Sequence, residues 1–315
     1  MDKIIHRIFF DFDNHGDPFL PYLKTWEREL SDFKIMQWNK NNLPLDLNNY
    51  TRYMTETKNH AFLSDYFRCW LLQKYGGVYL DADIEVLNGV IIRKIYEEAQ
   101  KTNEYTLFIG IESKRSGRLT AHSMGVKYGE THELLQFLMS LYEMVFTTSM
   151  RHIIKKFPIP DLMSLFFWDF EENERFSLIK KGCFFDYNAP FIAKKIKIYT
   201  QDYFSPVTKY NNRMMISAFS ENTCLCHHFA ATWKNNQTAP NGELFTDLLR
   251  NNYYAIEPKL ISLLKERYEL PKHIDKPLWA LNEREISFLE NGLNKLFPYG
   301  GILYSFLRRL RKEDE

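Results

Sequence analysis

The sequence predicts an α/β fold, and three observations carry that prediction. Short apolar, β-branched runs alternate with segments of helical period near the start of the chain. A glycine pair, Gly76 and Gly77, separates a second helical segment from another apolar run. That run, VYLDADIEVL, ends in acids, as expected at the carboxyl end of a buried strand in an open sheet.

The first three elements predict a strand, a helix and a second strand. Lys3–Phe10 is apolar and β-branched and leads into the loop DFDNHGDP, which indicates a buried strand. Pro18–Asp32 has apolar residues at helical spacing and predicts a helix. The run FKIMQWN predicts the second strand.

The stretch from His60 to Leu87 continues this alternation. The segment from Ala61 to Leu72 places Asp65, Arg68 and several apolar side chains close to one helical face. Gly76 and Gly77 end the helix. The following run, Val78–Leu87, is interpreted as a single strand whose end carries Asp81 and Asp83.

The rest of the chain predicts further strands and helices. A strand is expected at Tyr105–Glu112, a helix at His132–Phe146, and late strands at Lys194–Pro206 and Cys224–Trp233. From about residue 241 the sequence becomes mostly helical. We therefore predict a catalytic α/β domain over residues 1–240 and a helical C-terminal region over residues 241–315.

Composition excludes several classes of protein. Apolar residues make up 45% of the 315 residues, enough for a substantial core, and the formal net charge of +1 gives no field that favours nucleic acid. The start of the chain lacks the features of a signal peptide, and no stretch is long enough to span a bilayer. Four cysteines do not suggest a disulfide framework. We expect a cytoplasmic protein with reduced thiols.

Asp81 and Asp83 are the first candidate site. Side chains two residues apart lie on the same side of a strand. Two carboxylates held close together need a cation or hydrogen-bond donors, and oxygen ligands suit Mn²⁺ or Mg²⁺. A solvated strand end is the alternative interpretation, because an isolated Asp-x-Asp pattern is common.

The residues around this pair form a longer pattern. The segment AFLSDYFRCWLLQKYGGVYLDADIEVL contains, in order, alanine, Ser-Asp, arginine, a predicted helix, Gly-Gly and Asp-x-Asp. This pattern resembles the signature of the DXD-containing sugar transferases of glycosyltransferase family 32, and also the corresponding segment of the large clostridial glucosylating toxins. KIIHRIFF resembles the opening strand of the family and CLCHHFAATW its closing segment. Residues after about 235 match nothing in this family.

The resemblance implies the GT-A fold, a Rossmann-like nucleotide-binding mixed sheet flanked by helices that holds a sugar nucleotide and a divalent metal. Asp81 and Asp83 match its DXD pair. His227 matches a third metal ligand, although the adjacent His228 stays open as the alternative. Two neighbouring residues of a strand point to opposite sides, so at most one of the two should face the metal.

Donor-binding and catalytic roles follow from the same resemblance. Asp65 and Arg68 match residues that hold the hydroxyls or phosphate of the donor, and with Asp81 and Asp83 they are the implied catalytic set. The positions implied to bind the donor are Ile8, Phe9, Asp65, Arg68, Tyr79, Asp81, Trp233 and Lys234. Asp161, in PIPDLMS, loosely matches the acceptor side.

Each of these residues also has a structural interpretation. Asp65 and Arg68, three apart on a helix, could form an ordinary ion pair. Tyr79 and Phe9 could belong to the core. Cys224 and Cys226, beside the histidines, are zinc-ligand types, but their spacing is narrower than that of usual zinc sites.

The implied function is that of a retaining, metal-dependent hexosyltransferase. It would transfer galactose or glucose from a UDP-sugar to a glycan or lipid-linked oligosaccharide in bacterial capsule or lipopolysaccharide synthesis. Two alternatives stay open. One is a metal-dependent phosphoesterase that uses the same acids to activate water. The other is a relative that binds sugar nucleotides without catalysis.

The last residues suggest a membrane contact. Residues 295–315 combine apolar positions on one helical face with a cluster of arginines and aromatic side chains. This composition fits a helix lying in a membrane interface, or a helix packed on the domain or on a second subunit. The implied lipid-linked acceptor favours the first, and therefore a peripheral location at the inner face of the cell membrane.

Overall fold

The structure, a computed structural model, describes eight parts of the chain. They are residues 3–113, 118–147, 158–167, 189–210, 213–230, 243–251, 256 and 260–270. The chain divides into two compact units. Unit 1 comprises Met1–Thr208 and Ala218–Phe245, and unit 2 comprises Lys209–Ser217 and Thr246–Glu315. The predicted boundary at residue 240 stays a prediction.

Strands and helices alternate along the chain, as the sequence predicts. In chain order the elements are β1 (Ile4–Ile8), α1 (Leu20–Glu29), β2 (Lys34–Trp38), α2 (Asn49–Glu56), α3 (His60–Tyr75), β3 (Gly77–Asp81), β4 (Ile84–Val86), α4 (Gly89–Lys101), β5 (Leu107–Ser113), β6 (Arg118–Leu119), β7 (Ser123–Val126), α5 (Glu133–Thr147), α6 (Ile159–Phe166), β8 (Phe191–Ala193), β9 (Ile196–Tyr199), α7 (Gln201–Phe204), β10 (Val207–Tyr210), β11 (Arg213–Ile216) and β12 (Leu225–His227).

The main sheet is mixed. Its strand order is β2-β1-β3-β7-β5-β9-β8, and β6 pairs with β5. β2 and β3 run parallel to β1, β7 runs antiparallel to both β3 and β5, and β9 runs parallel to β5. The carboxyl ends of β1, β2, β3, β5 and β9 therefore lie at one edge of the sheet. β4 pairs separately with β12.

Helices cover both faces of this sheet, which confirms the predicted fold class. One face packs against α3 and α5 through apolar side chains such as Leu63, Phe67 and Leu138. The other face packs against α1 and α4 through side chains such as Trp26 and Ile95. Among the described residues, no helix has the length and apolarity that crossing a membrane requires.

The glycine pair turns the chain from α3 directly into β3. Gly76 and Gly77 have φ angles of +62° and +88°. A Cβ atom on Gly77 would lie 2.7 Å from the carbonyl oxygen of Ile4 on the neighbouring strand. Side chains rarely adopt such angles, so glycine at both positions lets the helix end against the sheet.

The predicted single strand Val78–Leu87 is wrong in one respect. The main-sheet strand ends at Asp81, a turn follows, and β4 begins at Ile84 in a different sheet. Trp26 on α1 donates from Nε1 to the Ile84 carbonyl at 2.7 Å, and the Thr25 hydroxyl accepts the Val86 amide at 2.9 Å. These bonds satisfy polar groups of β4 from the helix side, so the strand leaves the main sheet after Asp81.

His6 joins three elements inside the core of unit 1. Its side chain is buried, Nε2 lies 2.8 Å from the Gly76 carbonyl oxygen, and Nδ1 lies 3.0 Å from Nε1 of Trp38. Because the indole can only donate, the imidazole is neutral and donates to Gly76. Burial lowers the pKa of His6 to about 4, although the bond to Gly76 opposes this shift.

Replacing His6 by phenylalanine should destabilise the fold by about 1–3 kcal/mol for each polar group left without a partner. The difference in unfolding free energy between wild type and His6→Phe should shrink as the pH falls from 7 to 4. The unfolded chain takes up a proton near pH 6.5, whereas the folded His6 resists it, so wild type alone loses this stability. Urea unfolding of both proteins across this range measures the difference. A difference that stays constant with pH would contradict the assignment.

Unit 2 contributes shorter helical segments. The elements that end the described chain are α8 (Phe245–Asn251) and α9 (Ile261–Arg267), and Ile216 forms an isolated parallel bridge with Ile256. The predicted helical character after residue 241 agrees with these two helices. Residues 295–315, with the predicted basic tail, lie outside the described residues.

Candidate active site

The candidate site lies at the edge of the sheet where the parallel strands end. Asp81 is the last residue of β3, and Ile8, the last residue of β1, is paired with it. Residues 120–122 follow β6 and lie beside this end, because the Asp81 amide donates to the His122 carbonyl oxygen at 2.9 Å. In open α/β sheets, ligands bind outside such strand ends.

Asp81 is held through one carboxylate oxygen. Its Oδ1 accepts from the Tyr79 hydroxyl at 2.5 Å and lies 3.2 Å from Nη2 of Arg68. The Arg68 guanidinium also lies 4.8 Å from the centre of the Tyr79 ring. Oδ2 has no such contact among the described residues. The carboxylate is therefore fixed in direction while one oxygen remains available to a ligand.

Asp83 is held in a similar way from the other side. Its Oδ2 accepts the Ala230 amide at 2.8 Å and lies 3.4 Å from Nε2 of His227. Burial alone would raise the pKa of the Asp83 carboxyl, but the His227 charge and these hydrogen bonds hold it below its usual range. Burial likewise opposes protonation of His227, and the Asp83 carboxylate raises its pKa despite that.

Asp81, Asp83 and His227 form a candidate cation site. One ligand atom from each residue lies within 4.8 Å of the other two. Two carboxylates and an imidazole are ligands that Mn²⁺ accepts, and they can hold the ion while leaving positions for other ligands. Cys224 and Cys226 are buried and are not members of this group, so the zinc interpretation gains no support.

The two adjacent histidines point in different directions. His228 lies with Nε2 2.9 Å from Oε2 of Glu85, a carboxylate that also accepts the Phe245 amide at 2.7 Å. Its ring stacks on Tyr22 at 4.4 Å. His228 thus belongs to a buried network beneath the site, and the structure brings His227 to the aspartates.

Asp65 and Arg68 lie next to Asp81 and form an ion pair, as the structural interpretation of their spacing predicts, and their donor-binding role stays a prediction. Arg68 Nη2 lies 2.8 Å from Asp65 Oδ1 and also reaches Asp81. Its Nη1 donates to the Ala121 carbonyl at 2.6 Å. Tyr142 on α5 donates to Asp65 Oδ2 at 3.3 Å. Burial raises the pKa of Asp65 to about 6 against the opposing effect of Arg68.

Ile8 and Phe9 occupy different environments at the end of β1. The Ile8 side chain is buried in the core, so only its backbone could meet a ligand. Phe9 is partly exposed and packs with Phe19, 5.8 Å between ring centres, in a cluster that includes Ala82 between the two aspartates. Phe9 therefore lies close to the candidate cation site.

His122 is a site residue that the sequence patterns do not indicate. Its ring lies 4.4 Å from that of His227, and Nε2 lies 3.0 Å from the Ser205 hydroxyl. Burial, and then the charge of His227, lower its pKa well below the usual value. A neutral imidazole packed behind His227 restricts the directions in which His227 can point.

Replacing His122 by alanine should weaken binding of Mn²⁺ about 10–100-fold, the loss typical of a residue that orients a metal ligand. His122→Phe, which keeps the ring but not the bond to Ser205, should lose less. Manganese titration followed by electron paramagnetic resonance measures both variants, with circular dichroism as the control for folding. Wild-type affinity in His122→Ala would contradict a positioning role.

The remaining predicted residues are only partly placed. Asp161, at the start of α6, pairs with Arg118, whose Nε lies 3.2 Å from Oδ1. Arg118 in turn lies 4.0 Å from Glu112 at the end of β5. Trp233 and Lys234 lie outside the described residues.

A family comparison matches the part of the chain that builds this site. Residues 17–103 match the family model described as the glycosyltransferase sugar-binding region containing DXD motif. This part of the chain is similar to the sugar-binding region of DXD glycosyltransferases. The matched range includes Asp65, Arg68, Asp81 and Asp83, and the resemblance predicted from the sequence is confirmed. The match supports sugar transfer in general.

Three solved structures to which this chain is similar are glycosyltransferases. The PaToxG glycosyltransferase shares 12% identity, covering 52% of this chain and 67% of its own, with a TM-score of 0.38. A glycosyltransferase involved in glycosylation of the major capsid of PBCV-1 shares 11%, covering 73% and 95%, with a TM-score of 0.36. The galactosyltransferase LgtC shares 14%, covering 86% and 98%, with a TM-score of 0.34. No curated protein matches the chain.

Proposed function

We propose that the protein is a retaining, metal-dependent hexosyltransferase of the GT-A type, which takes galactose or glucose from a UDP-sugar. The observation that carries this proposal is the convergence of Asp81, Asp83 and His227 beside Arg68 at the carboxyl edge of the sheet. Such a group can hold Mn²⁺ or Mg²⁺, and a bound divalent ion would neutralise charge on the diphosphate.

The protein's own residues would position the donor around this centre. Arg68 is held by Asp65, Asp81 and the Ala121 carbonyl, so its cation is fixed where a phosphate or sugar oxygen could meet it. Asp65, held by Arg68 and Tyr142, is a suitable acceptor for sugar hydroxyls. Phe9 offers an aromatic face at the end of β1 for the base.

Retention requires the leaving diphosphate and the incoming hydroxyl to share one face of the sugar. The bond between the anomeric carbon and the diphosphate oxygen breaks, and its electron pair leaves with the nucleotide. The anomeric carbon bonds to the incoming oxygen, whose proton passes to the diphosphate. Fixed charges such as Arg68, with Trp233 and Lys234 as further donor contacts, would stabilise the developing negative charge.

We also propose the class of acceptor. A glycan or lipid-linked oligosaccharide of capsule or lipopolysaccharide synthesis fits the family resemblance, and a lipid-linked acceptor would require the protein to work at the inner membrane surface. The basic tail at residues 295–315 is the segment proposed to make that contact.

Calorimetric titration of UDP and of GDP, each with and without Mn²⁺, tests the proposal. We expect UDP to bind in the presence of Mn²⁺ and to bind much more weakly without it. Incubation with UDP-galactose and UDP-glucose should then release UDP. Tight binding of GDP alone would move the donor to a GDP-sugar.

Three other results would contradict the proposal. Binding of neither nucleotide would remove the sugar-nucleotide site. Release of inorganic phosphate from simple phosphate esters, without a sugar nucleotide, would indicate a metal-dependent phosphoesterase. Metal-dependent UDP binding without transfer or hydrolysis would indicate a binding protein that has no catalytic activity.

A further inference from the structure

Glu112 lies at the same sheet edge as the candidate cation site but on a different strand. It is near the end of β5, which runs parallel to β3 with β7 between them. Two strand spacings, about 10 Å, separate the backbones of β5 and β3. The segment 120–122 bridges them, because the Thr120 amide donates to the Gly110 carbonyl and the His122 carbonyl accepts from Asp81. Glu112 therefore lies across this segment from Asp81, and its carboxylate interacts electrostatically with Asp81 and His227.

The Glu112 carboxylate is largely buried and has few partners among the residues that the structure describes. Its side chain is 15% exposed, and the described cation that lies near it is Arg118, whose Nε is 4.0 Å away. Arg118 makes closer contacts with Asp161, at 3.2 and 3.4 Å. No hydrogen bond reaches the Glu112 carboxylate from any residue that the structure describes. A buried carboxylate without donors is costly, so a donor supplied by a ligand would stabilise it.

The charges around Glu112 indicate which ligand group fits. Burial raises the pKa of Glu112, the charges of Arg118 and His227 oppose this, and the carboxylates of Asp161 and Asp81 add to it. A carboxylate that has two other carboxylates nearby repels a phosphate group that no cation accompanies. Glu112 is also not a member of the three-residue cation group. A neutral hydroxyl group that donates a hydrogen bond suits a carboxylate in this position.

We propose that Glu112 binds a sugar hydroxyl in the transfer reaction. This inference rests on the proposed function, in which a sugar is held between the cation site and the acceptor side. The hydroxyl could belong to the hexose of the donor or to the incoming acceptor. Arg118 and Asp161 would support Glu112 from behind, so that Glu112, rather than Asp161, makes the contact on this side.

Replacing Glu112 by glutamine tests the inference. Glutamine keeps the size of the side chain and removes the charge that makes the oxygen a strong acceptor. Affinity for UDP with Mn²⁺ should stay within about twofold of wild type. If the hydroxyl is on the donor, affinity for UDP-galactose or UDP-glucose should fall at least about tenfold relative to UDP. If the hydroxyl is on the acceptor, affinity for the UDP-hexose should be unchanged, and the rate of UDP release should fall at least about tenfold.

Two further variants make the test specific. Glu112→Asp keeps the charge but withdraws the carboxylate by one methylene group, and it should show the same loss in smaller degree. Glu133→Gln changes an exposed glutamate of α5 in the same way and should behave as wild type. Thermal unfolding of all variants shows whether the fold is intact.

The outcomes separate this inference from the proposed function. Wild type that binds no nucleotide would overturn the proposed function and this inference with it. A second outcome would overturn this inference alone. In it, wild type binds UDP with Mn²⁺, and the Glu112→Gln variant keeps both its affinity for the donor and its turnover. A loss of UDP affinity equal to the loss of UDP-hexose affinity would also overturn it, because the sugar would then play no part.

Discussion

Replacing Asp83 by alanine should abolish metal-dependent binding of UDP, with a loss of affinity greater than about 100-fold, since even residues that only orient a metal ligand cost 10–100-fold. The carboxylate is buried, is fixed by the Ala230 amide and lies 3.4 Å from His227. Its removal takes one of three ligand groups from the candidate cation site. Calorimetric titration of UDP in the presence of Mn²⁺ measures the effect.

Two comparisons separate metal binding from local structure. Asp83→Asn keeps an oxygen that can accept the Ala230 amide, yet an amide is a much poorer ligand for Mn²⁺, so this variant should fold normally and still lose affinity. Asp46→Asn changes an exposed aspartate and should bind as wild type. Wild-type affinity in Asp83→Asn would show that Asp83 has a structural role only.

Replacing Arg68 by methionine should both destabilise the protein and abolish transfer. Arg68 is buried and pairs with Asp65 and Asp81, so its loss leaves two carboxylates without their cation. Removing one partner from a buried pair typically costs about 3–5 kcal/mol. Urea unfolding at pH 7 measures the stability, with Arg28→Met, at an exposed position on α1, as the matched control.

Two further measurements on Arg68→Met make the predicted loss of stability specific: its dependence on pH and the effect of a second substitution at Asp65. Without Arg68, the already raised pKa of Asp65 should rise further, so acidification towards pH 5 should protonate Asp65 and reduce the difference from wild type. The double variant Arg68→Met, Asp65→Asn should recover part of the stability but no activity. A single variant as stable as wild type at pH 7 would contradict the role of Arg68 as the shared cation.

Much of the fold was predictable because local patterns dominate it. The apolar run of β1, the long helical segment of α3 and the glycine pair after it all occur as the sequence predicts. The break between Asp81 and Ile84 was not predictable, because apolar residues continue to alternate with polar ones through the turn and no glycine or proline marks it. The turn depends on the Trp26 and Thr25 bonds to β4, which join residues distant in sequence.

The candidate site shows the same division between local and distant information. The spacing of Asp65 and Arg68, and of Asp81 and Asp83, is visible in one continuous stretch of sequence. His122 carries no local signal and Glu112 only a weak one, since strand pairing brings both residues to the site. A carboxylate at the end of a predicted buried strand, at Glu112, was the only available indication.

Anomalous scattering at the manganese edge would show whether Asp81, Asp83 and His227 hold a cation. Crystals grown with Mn²⁺ and UDP should show one strong anomalous peak about 2.0–2.3 Å from an oxygen of Asp83 and a nitrogen of His227, the usual range for such ligands. The nucleotide diphosphate should bind to the same ion. A diphosphate bound at the sheet edge with no anomalous peak beside Asp83 would contradict a metal-binding role for Asp83 and His227.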